Sequence, residues 1–337
     1  MGKEPMKTIT LEDVARGAGV SRALASMAIR DVPGVNAQTR ERILATADRL
    51  GYRPNRLASR LASRSTSAIG VFLLDLRQDV YADMFDGIRG VTQDKKLHLV
   101  LAVGTDDGTM DGNALDGLAQ SRVDVVIATG LLLPDSQVRS FNRHTPLVSV
   151  ARQIDGVDSV ASGNTPGARL AVEHLIGLGH REIVFLANPQ TDGYTGRQAG
   201  YVDTMTRAGL SPWIVGSQYS RRRAALDIAP VLALPEGQRP TAVFAHNDQA
   251  ALGVLDAMAT LGLRAPQDVS VVGYDNSQVS QAPGTQLTTV DIHGEQLGRR
   301  AALLALRRLE EPTAPPASYV SQPSLVVRST TGPPRVP

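Results

Sequence analysis

The chain has 337 residues, 42 % of them hydrophobic, no cysteine and a formal net charge of +2. That length supports two domains, or one domain with an appendage, and the lack of cysteine excludes disulfide frameworks and thiolate metal sites. No uncharged apolar run approaches the roughly 18 residues of a membrane span, and the polar start MGKEPMKTIT has no apolar secretion core. A cytoplasmic location in a reducing compartment is therefore expected.

The charge is unevenly spread. Residues 1–64 hold twelve Lys and Arg against six Asp and Glu, leaving the rest mildly acidic. A basic head on an acidic body suits a polyanion ligand; a solvated basic face is the other reading.

Thr10 reads as a helix N-cap, with Asp13 placed to reciprocate. Leu11, Val14, Ala15 and Ala18 then follow at the spacing of a buried helical face. Gly17 and Gly19 end that helix, Val20 packs at the corner, and Ser21 caps a second helix with Ala25, Ala28 and Ile29 on its core side. DVPG closes it. A third helix begins near Asn36 with an apolar stripe of Ile43, Leu44, Ala47 and Leu50. Three short helices with a four-residue turn between the first two give a helix-turn-helix, a pattern that any small three-helix bundle shares. In a helix-turn-helix the second helix enters the major groove, with Arg22 and Ala23 at base edges; arginine can bond guanine O6 and N7.

YRPNRLASRLASR, residues 52–64, puts Leu57 and Leu61 one turn apart among Arg56, Arg60 and Arg64. A helix this short is marginal alone. It is expected to form when something orders it, and a pair could wedge leucines into a minor groove. The alternative is a plain flexible linker.

TLEDVARGAGVS and TRERILATADRLGYRPNRLASRL, in this order and spacing, resemble the LacI/GalR family of bacterial transcription regulators. The resemblance implies DNA contacts from Thr10, Ser21, Arg22, Ala23, Ser26, Met27 and Arg30. It also implies a hinge helix with Asn55, Arg56 and Ala58 on hinge positions and Leu61 inserted at the centre of a palindromic operator. Leu24, Ala25 and Met27 replace the threonine, valine and arginine common in the family's recognition helix. Met27 cannot bond a guanine edge or a phosphate, so a half-site unlike the commonest family version is expected.

Beyond Ser65 the pattern becomes alternating. Buried-strand runs SAIGVFLLDL, LHLVLAVG, VDVVIATG, TPLVSVA, REIVFLAN, TAVFAHND and DVSVVGYDN are separated by segments of helical period, one of them from about Tyr81 to Thr92. Such alternation gives parallel sheets covered by helices. There are too many units for one sheet, so two lobes are expected, with crossovers near 163 and 291. EHLIGLGHREIVFL and GLRAPQDVSVVGYDN resemble the type I periplasmic binding-protein fold, the effector domain of the same family. The expected fold is a small all-α helix-turn-helix head and a two-lobed α/β periplasmic-binding-protein-like body with parallel sheets. The expected division is 1–52 for the head, 53–66 for the hinge, and 67–333 for effector binding and dimerisation. Lobe 1 takes about 67–163 and 291–320, lobe 2 about 164–290 and 321–333.

Ligands of open α/β sheets bind beyond the carboxyl ends of strands. Asp75, Arg152, Asn247 and Asp275 follow strand runs, and carboxylates and amides there suit hydroxyl groups. Arg197 opens a helix and can donate to a hydroxyl or an anion, or make an interlobe salt bridge. Tyr81, Tyr194 and Tyr219 could stack on a ligand or pack. The family resemblance places all of these except Arg152 at effector-contact positions. Ala151 and Gly163 stand where family members often carry aspartate, which leaves a sugar, a polyol or a sugar phosphate as effector.

No nucleophile elbow, phosphate loop or metal-spaced histidine pair is present. Catalysis, cofactor and metal are not expected, and His246, at a strand end, reads as a core or capping residue, with ligand contact as the alternative. The expectation is a ligand-controlled repressor bound as a homodimer to double-stranded DNA with two-fold half-sites, its effector either inducer or corepressor. The proline-rich end RSTTGPPRVP cannot form a heptad tail, which favours a dimer over a tetramer. The rivals are a solute-binding protein and a sugar kinase-like enzyme with a DNA-binding head.

Overall fold

A computed structural model of the chain describes residues 9–29, 31–52, 68–95, 97–189 and 195–335. The chain divides into two compact units, 1–66 and 67–337.

The first unit contains α1 (Leu11–Ala18), α2 (Arg22–Ile29) and α3 (Ala37–Arg49). Thr10 and Asp13 form a reciprocal cap: the Thr10 hydroxyl accepts from the Asp13 N–H at 3.3 Å, and the Thr10 N–H donates to Asp13 Oδ2 at 3.0 Å. Val14, Ala15, Ala18, Ala25, Ala28, Ile43 and Ala47 make the core. Mostly alanine, it lets the helices approach closely. Gly19 ends α1 in the left-handed conformation, φ 63°. Gly17 does not end the helix. It lies inside α1, where a Cβ would come within 3.0 Å of Thr46 Cγ2 on α3, so its role is close packing. Leu44 also departs from expectation: it is 46 % exposed, because the buried stripe of α3 passes through Ile43, Thr46 and Ala47.

The second unit holds two six-stranded sheets. β1 (Ala68–Leu73), β2 (His98–Val103), β3 (Val125–Thr129), β4 (Leu147–Val150), β5 (Asp158–Ser162) and β11 (Ser318–Ser321) form the first. Its order is β11-β5-β4-β3-β1-β2, with every pairing parallel. The second contains β6 (Ile183–Ala187), β7 (Trp213–Gly216), β8 (Ala242–Ala245), β9 (Ser270–Asp275), β10 (Thr288–Asp291) and β12 (Ser324–Val326). Its order is β12-β10-β9-β8-β6-β7, and only β12 pairs antiparallel. The helices are α4 (Asp79–Asp94), α5 (Asp111–Gln120), α6 (Asp135–Asn142), α7 (Asn164–Gly177), α8 (Gly196–Arg207), α9 (Arg221–Leu232), α10 (Asp248–Thr260) and α11 (Gly294–Glu310).

The chain crosses between lobes three times: after β5, after β10, and between β11 and β12. Strands β1, β3, β6, β8 and β9 are buried along their whole length, as two-sided helix cover requires. Edge strands β2 and β7 alternate instead and expose Leu101, Val103 and Ile214. The crossover helix α11 lies on α4 with almost no space between backbones: a Cβ at Gly298 would overlap the Met84 carbonyl, and one at Gly87 the Glu295 carbonyl.

Candidate functional site

Strand ends of both sheets line a cleft between the lobes. Asp75 and Gln78 reach it from the turn after β1, Tyr81 from α4 and Leu132 from the turn after β3. Asn188, Arg197, Tyr219, Asn247 and Asp275 come from the second lobe, and Leu74, Met84 and Ile292 add apolar surface. The enclosed space is about 50 Å³. That holds a few waters rather than a sugar ring, so a ligand of that size requires the lobes or their side chains to move.

Arg197 organises the second lobe's wall. Its Nε donates to Asn164 Oδ1 at 3.0 Å, its Nη1 to the His246 carbonyl, and its Nη2 lies 3.5 Å from Asp275 Oδ1. Asp275, 7 % exposed, has φ 114° and the next residue, Asn276, φ 55°. Non-glycine residues held there carry strain. Asp248 stabilises this turn, its Oδ2 accepting from the Ser277 N–H and hydroxyl, each at 2.8 Å. Burial raises the Asp275 carboxyl above the usual range, opposed by the Arg197 charge.

Behind this wall sits His246, fully buried. Burial, reinforced by Arg197, pushes its imidazole down to about 3, so the ring is neutral at physiological pH. Its Nδ1 lies 3.1 Å from the Leu186 carbonyl, which can only accept. The proton therefore belongs on Nδ1, and Nε2 is an acceptor without a hydrogen-bond partner.

In the first unit, Ser21, Arg22 and Ala23 are exposed at the start of α2. The Ser21 hydroxyl caps the helix, accepting from the Leu24 N–H at 3.2 Å. Ser26 and Met27 are half-buried, and the Thr10 hydroxyl is committed to the cap of α1. Residues 10–55 match the model of bacterial regulatory proteins of the lacI family, and residues 172–331 match a periplasmic binding protein-like domain. Catabolite control protein A of Priestia megaterium is 30 % identical, across 84 % of this chain and 87 % of its own length. The chain belongs to the LacI family of bacterial regulatory proteins.

Other LacI-family relatives agree over longer spans. The transcriptional repressor PurR of Vibrio campbellii is 28 % identical over 95 % of this chain and 98 % of its own. A crystal structure of the lac repressor dimer bound to operator and the anti-inducer ONPF superposes with a TM-score of 0.83 at 29 % identity, covering 97 % of this chain and all of that one. A complex of the regulator CelR with cellobiose gives a TM-score of 0.71 at 28 % identity, covering 96 % and 99 %.

Of the residues expected at the effector, Asp75, Tyr81, Arg197, Tyr219, Asn247 and Asp275 are brought together in the cleft. Arg152 is not. Ala151 has φ 73°, and the chain turns so that the next side chain runs beneath the 131–135 loop. There Arg152 donates to the Leu131 carbonyl at 3.1 Å, the Leu133 carbonyl at 2.7 Å and Asp135 Oδ1 at 2.5 Å. It holds the loop that carries Leu132 and does not touch the cleft. Tyr194, Arg30 and the hinge residues Asn55, Arg56, Ala58 and Leu61 lie outside the described residues. Sequence reasoning missed Gln78, Asn188 and Leu132, which sit in irregular segments without a periodic signal.

Proposed function

We propose that this chain is a ligand-responsive, sequence-specific transcriptional repressor that binds a pseudo-palindromic operator as a homodimer in the cytoplasm. The observation carrying this reading is one chain that joins a helix-turn-helix unit, with Arg22 and Ala23 exposed at the start of α2, to a two-lobed polar cleft. A solute-binding protein has no use for α1–α3. In the proposed mode α2 lies in the major groove. Ser21, Arg22, Ala23, Ser26 and Met27 lie toward the DNA, with Thr10 at the head of α1. A lac repressor dimer bound to operator is among the solved relatives that support this mode.

A homodimer is the state that matches an operator with two-fold half-sites. Charge in the cleft favours a neutral, hydroxyl-bearing effector over a sugar phosphate. Arg197 is the one cation lining it among the described residues, and its donors already meet Asn164, His246 and Asp275. The effector acts by binding one state of lobe closure better than the other.

The test is selection from random-sequence and palindromic DNA pools, followed by titration of the winner at several salt concentrations. One recovered pseudo-palindrome with steep salt dependence supports the reading, and release or tightening by neutral sugars and polyols gives the sign of coupling. Uniform weak binding to all DNA overturns it.

A further inference from the structure

One side chain of the first lobe bonds across the cleft. Gln78 precedes α4 without capping it and is 6 % exposed. Its Nε2 donates to the Tyr219 carbonyl at 2.5 Å, and its Oε1 accepts from Asn247 Nδ2 at 3.1 Å. Both partners belong to the second lobe and both line the cleft. Asn247 uses its other end at home, its Oδ1 accepting from the Ala250 N–H at 2.8 Å to cap α10. Gln278 adds a weaker interlobe bond at the rim, 3.4 Å to Asp83 Oδ1.

We propose that Gln78 is a built-in occupant of the effector cleft: its amide latches the two lobes together without ligand, and an effector must displace it and satisfy the same two partners. The inference rests on the cleft being the effector site. It defines ligand chemistry, because a seated effector owes an acceptor to Asn247 Nδ2 and a donor to the Tyr219 carbonyl. A hydroxyl serves at either point, whereas a carboxylate or phosphate dianion cannot donate to the carbonyl. The latch is uncharged. It avoids the desolvation penalty of an interlobe ion pair. Since it holds the lobes by the same bonds an effector would use, the ligand-free chain is already closed, and effector binding begins with a loss of contacts.

The absence of cysteine allows a direct test. Ser136→Cys on α6 and Arg222→Cys on α9, both exposed on cleft-side helix starts of opposite lobes, take spin labels for distance measurement on the ligand-free full chain. The expected result is a narrow distribution with Gln78 present and a shift to longer distances of about 2 Å or more in Gln78→Leu. Gln78→Glu keeps the size but loses the donor at neutral pH. It should open like the leucine variant and close again in acid, where the protonated carboxyl regains an O–H donor. A melting curve on each variant establishes that it is folded. Unchanged distances in both folded variants, or a Gln78→Glu chain that stays open in acid, overturn the latch. The DNA selection is an independent readout. A chain without specific operator affinity loses the repressor reading while the distances still decide the latch.

Discussion

Arg197 lies over the ring of Tyr274, its guanidinium carbon 3.8 Å from the ring centroid, and reaches Asp275, the next residue of the same strand. The guanidinium thus joins the start of α7 through Asn164, the end of β8 through the His246 carbonyl, and the strained end of β9. Its planarity is what permits a stacked face and a donor fork at once. Tyr274 is itself fully buried, and burial pushes its hydroxyl up to about 12.

Arg197→Lys keeps the charge but not the fork or the stack. The expected outcome is a loss of effector response of about tenfold or more, with operator affinity in the absence of effector retained. Titrating effector into the preformed operator complex measures it. Arg197→Ala leaves Asp275 buried and unpaired and should destabilise the second unit by about 3 kcal/mol, read as a fall in melting midpoint. Equal effector response in the lysine variant would remove the fork from the account.

The α4–α11 contact predicts a pair of opposite effects. At Gly298 an added methyl meets backbone, not a movable side chain, so Gly298→Ala must push the helices apart and should cost about 3 kcal/mol. Gly90, on α4, has nothing within 4 Å of a built Cβ and no positive φ. Gly90→Ala should stabilise by about 0.5 kcal/mol through a less flexible unfolded chain. Urea unfolding of both variants checks the sign and the difference.

The architecture was legible where burial is complete. Strands such as Ala68–Leu73 and Ser270–Asp275 are apolar on both faces and announce themselves, and the rule that ligands gather beyond strand ends brings Asp75, Asn247 and Asp275 to one place. Strands β5, β7, β10, β11 and β12 carry no such signal, because runs of three to five residues, most of them containing serine or threonine, show no distinctive pattern. Arg152 misled for a local reason: the left-handed turn at Ala151 reverses the direction of the following side chain, and nothing in the letters marks an alanine for that conformation. Gln78 was invisible for a different one. Its role depends on partners 141 and 169 residues away, a relation that exists only once both lobes are folded.

Asp111 supplies a pH prediction. It is fully buried at the start of α5, and its Oδ2 accepts from the Leu132 N–H at 2.9 Å. Burial raises its carboxyl to about 6, against the backbone bonds from Leu132 and Thr105. A carboxyl raised on folding contributes stability that is full below its unfolded value near 3.8 and is lost as the pH rises through 6. The wild-type chain should therefore lose on the order of 2 kcal/mol between about pH 4 and 7 relative to Asp111→Asn. The asparagine keeps an acceptor for Leu132 but does not ionise. Its absolute stability can be lower, so the slope against pH is the quantity to read from denaturant midpoints. Parallel slopes would mean that Asp111 is not the group titrating in that window.

Arg22 separates the two components of DNA binding. It stands first on α2, exposed, with no carboxylate in its own turn. A bidentate pair to guanine contributes about 1–3 kcal/mol of discrimination, while each phosphate neutralised adds about 0.9 to the slope of log affinity against log salt. If Arg22 reads a base, Arg22→Ala should weaken the selected operator by that amount and flatten preference at one position of each half-site, with the salt slope nearly unchanged. If it grips phosphate instead, all sequences weaken alike and the slope falls by about one per half-site. Arg22→Lys sharpens the distinction, since lysine replaces a phosphate contact well and a bidentate guanine contact poorly. Titrations of all three chains against the operator and a one-position library, at three salt concentrations, decide between them.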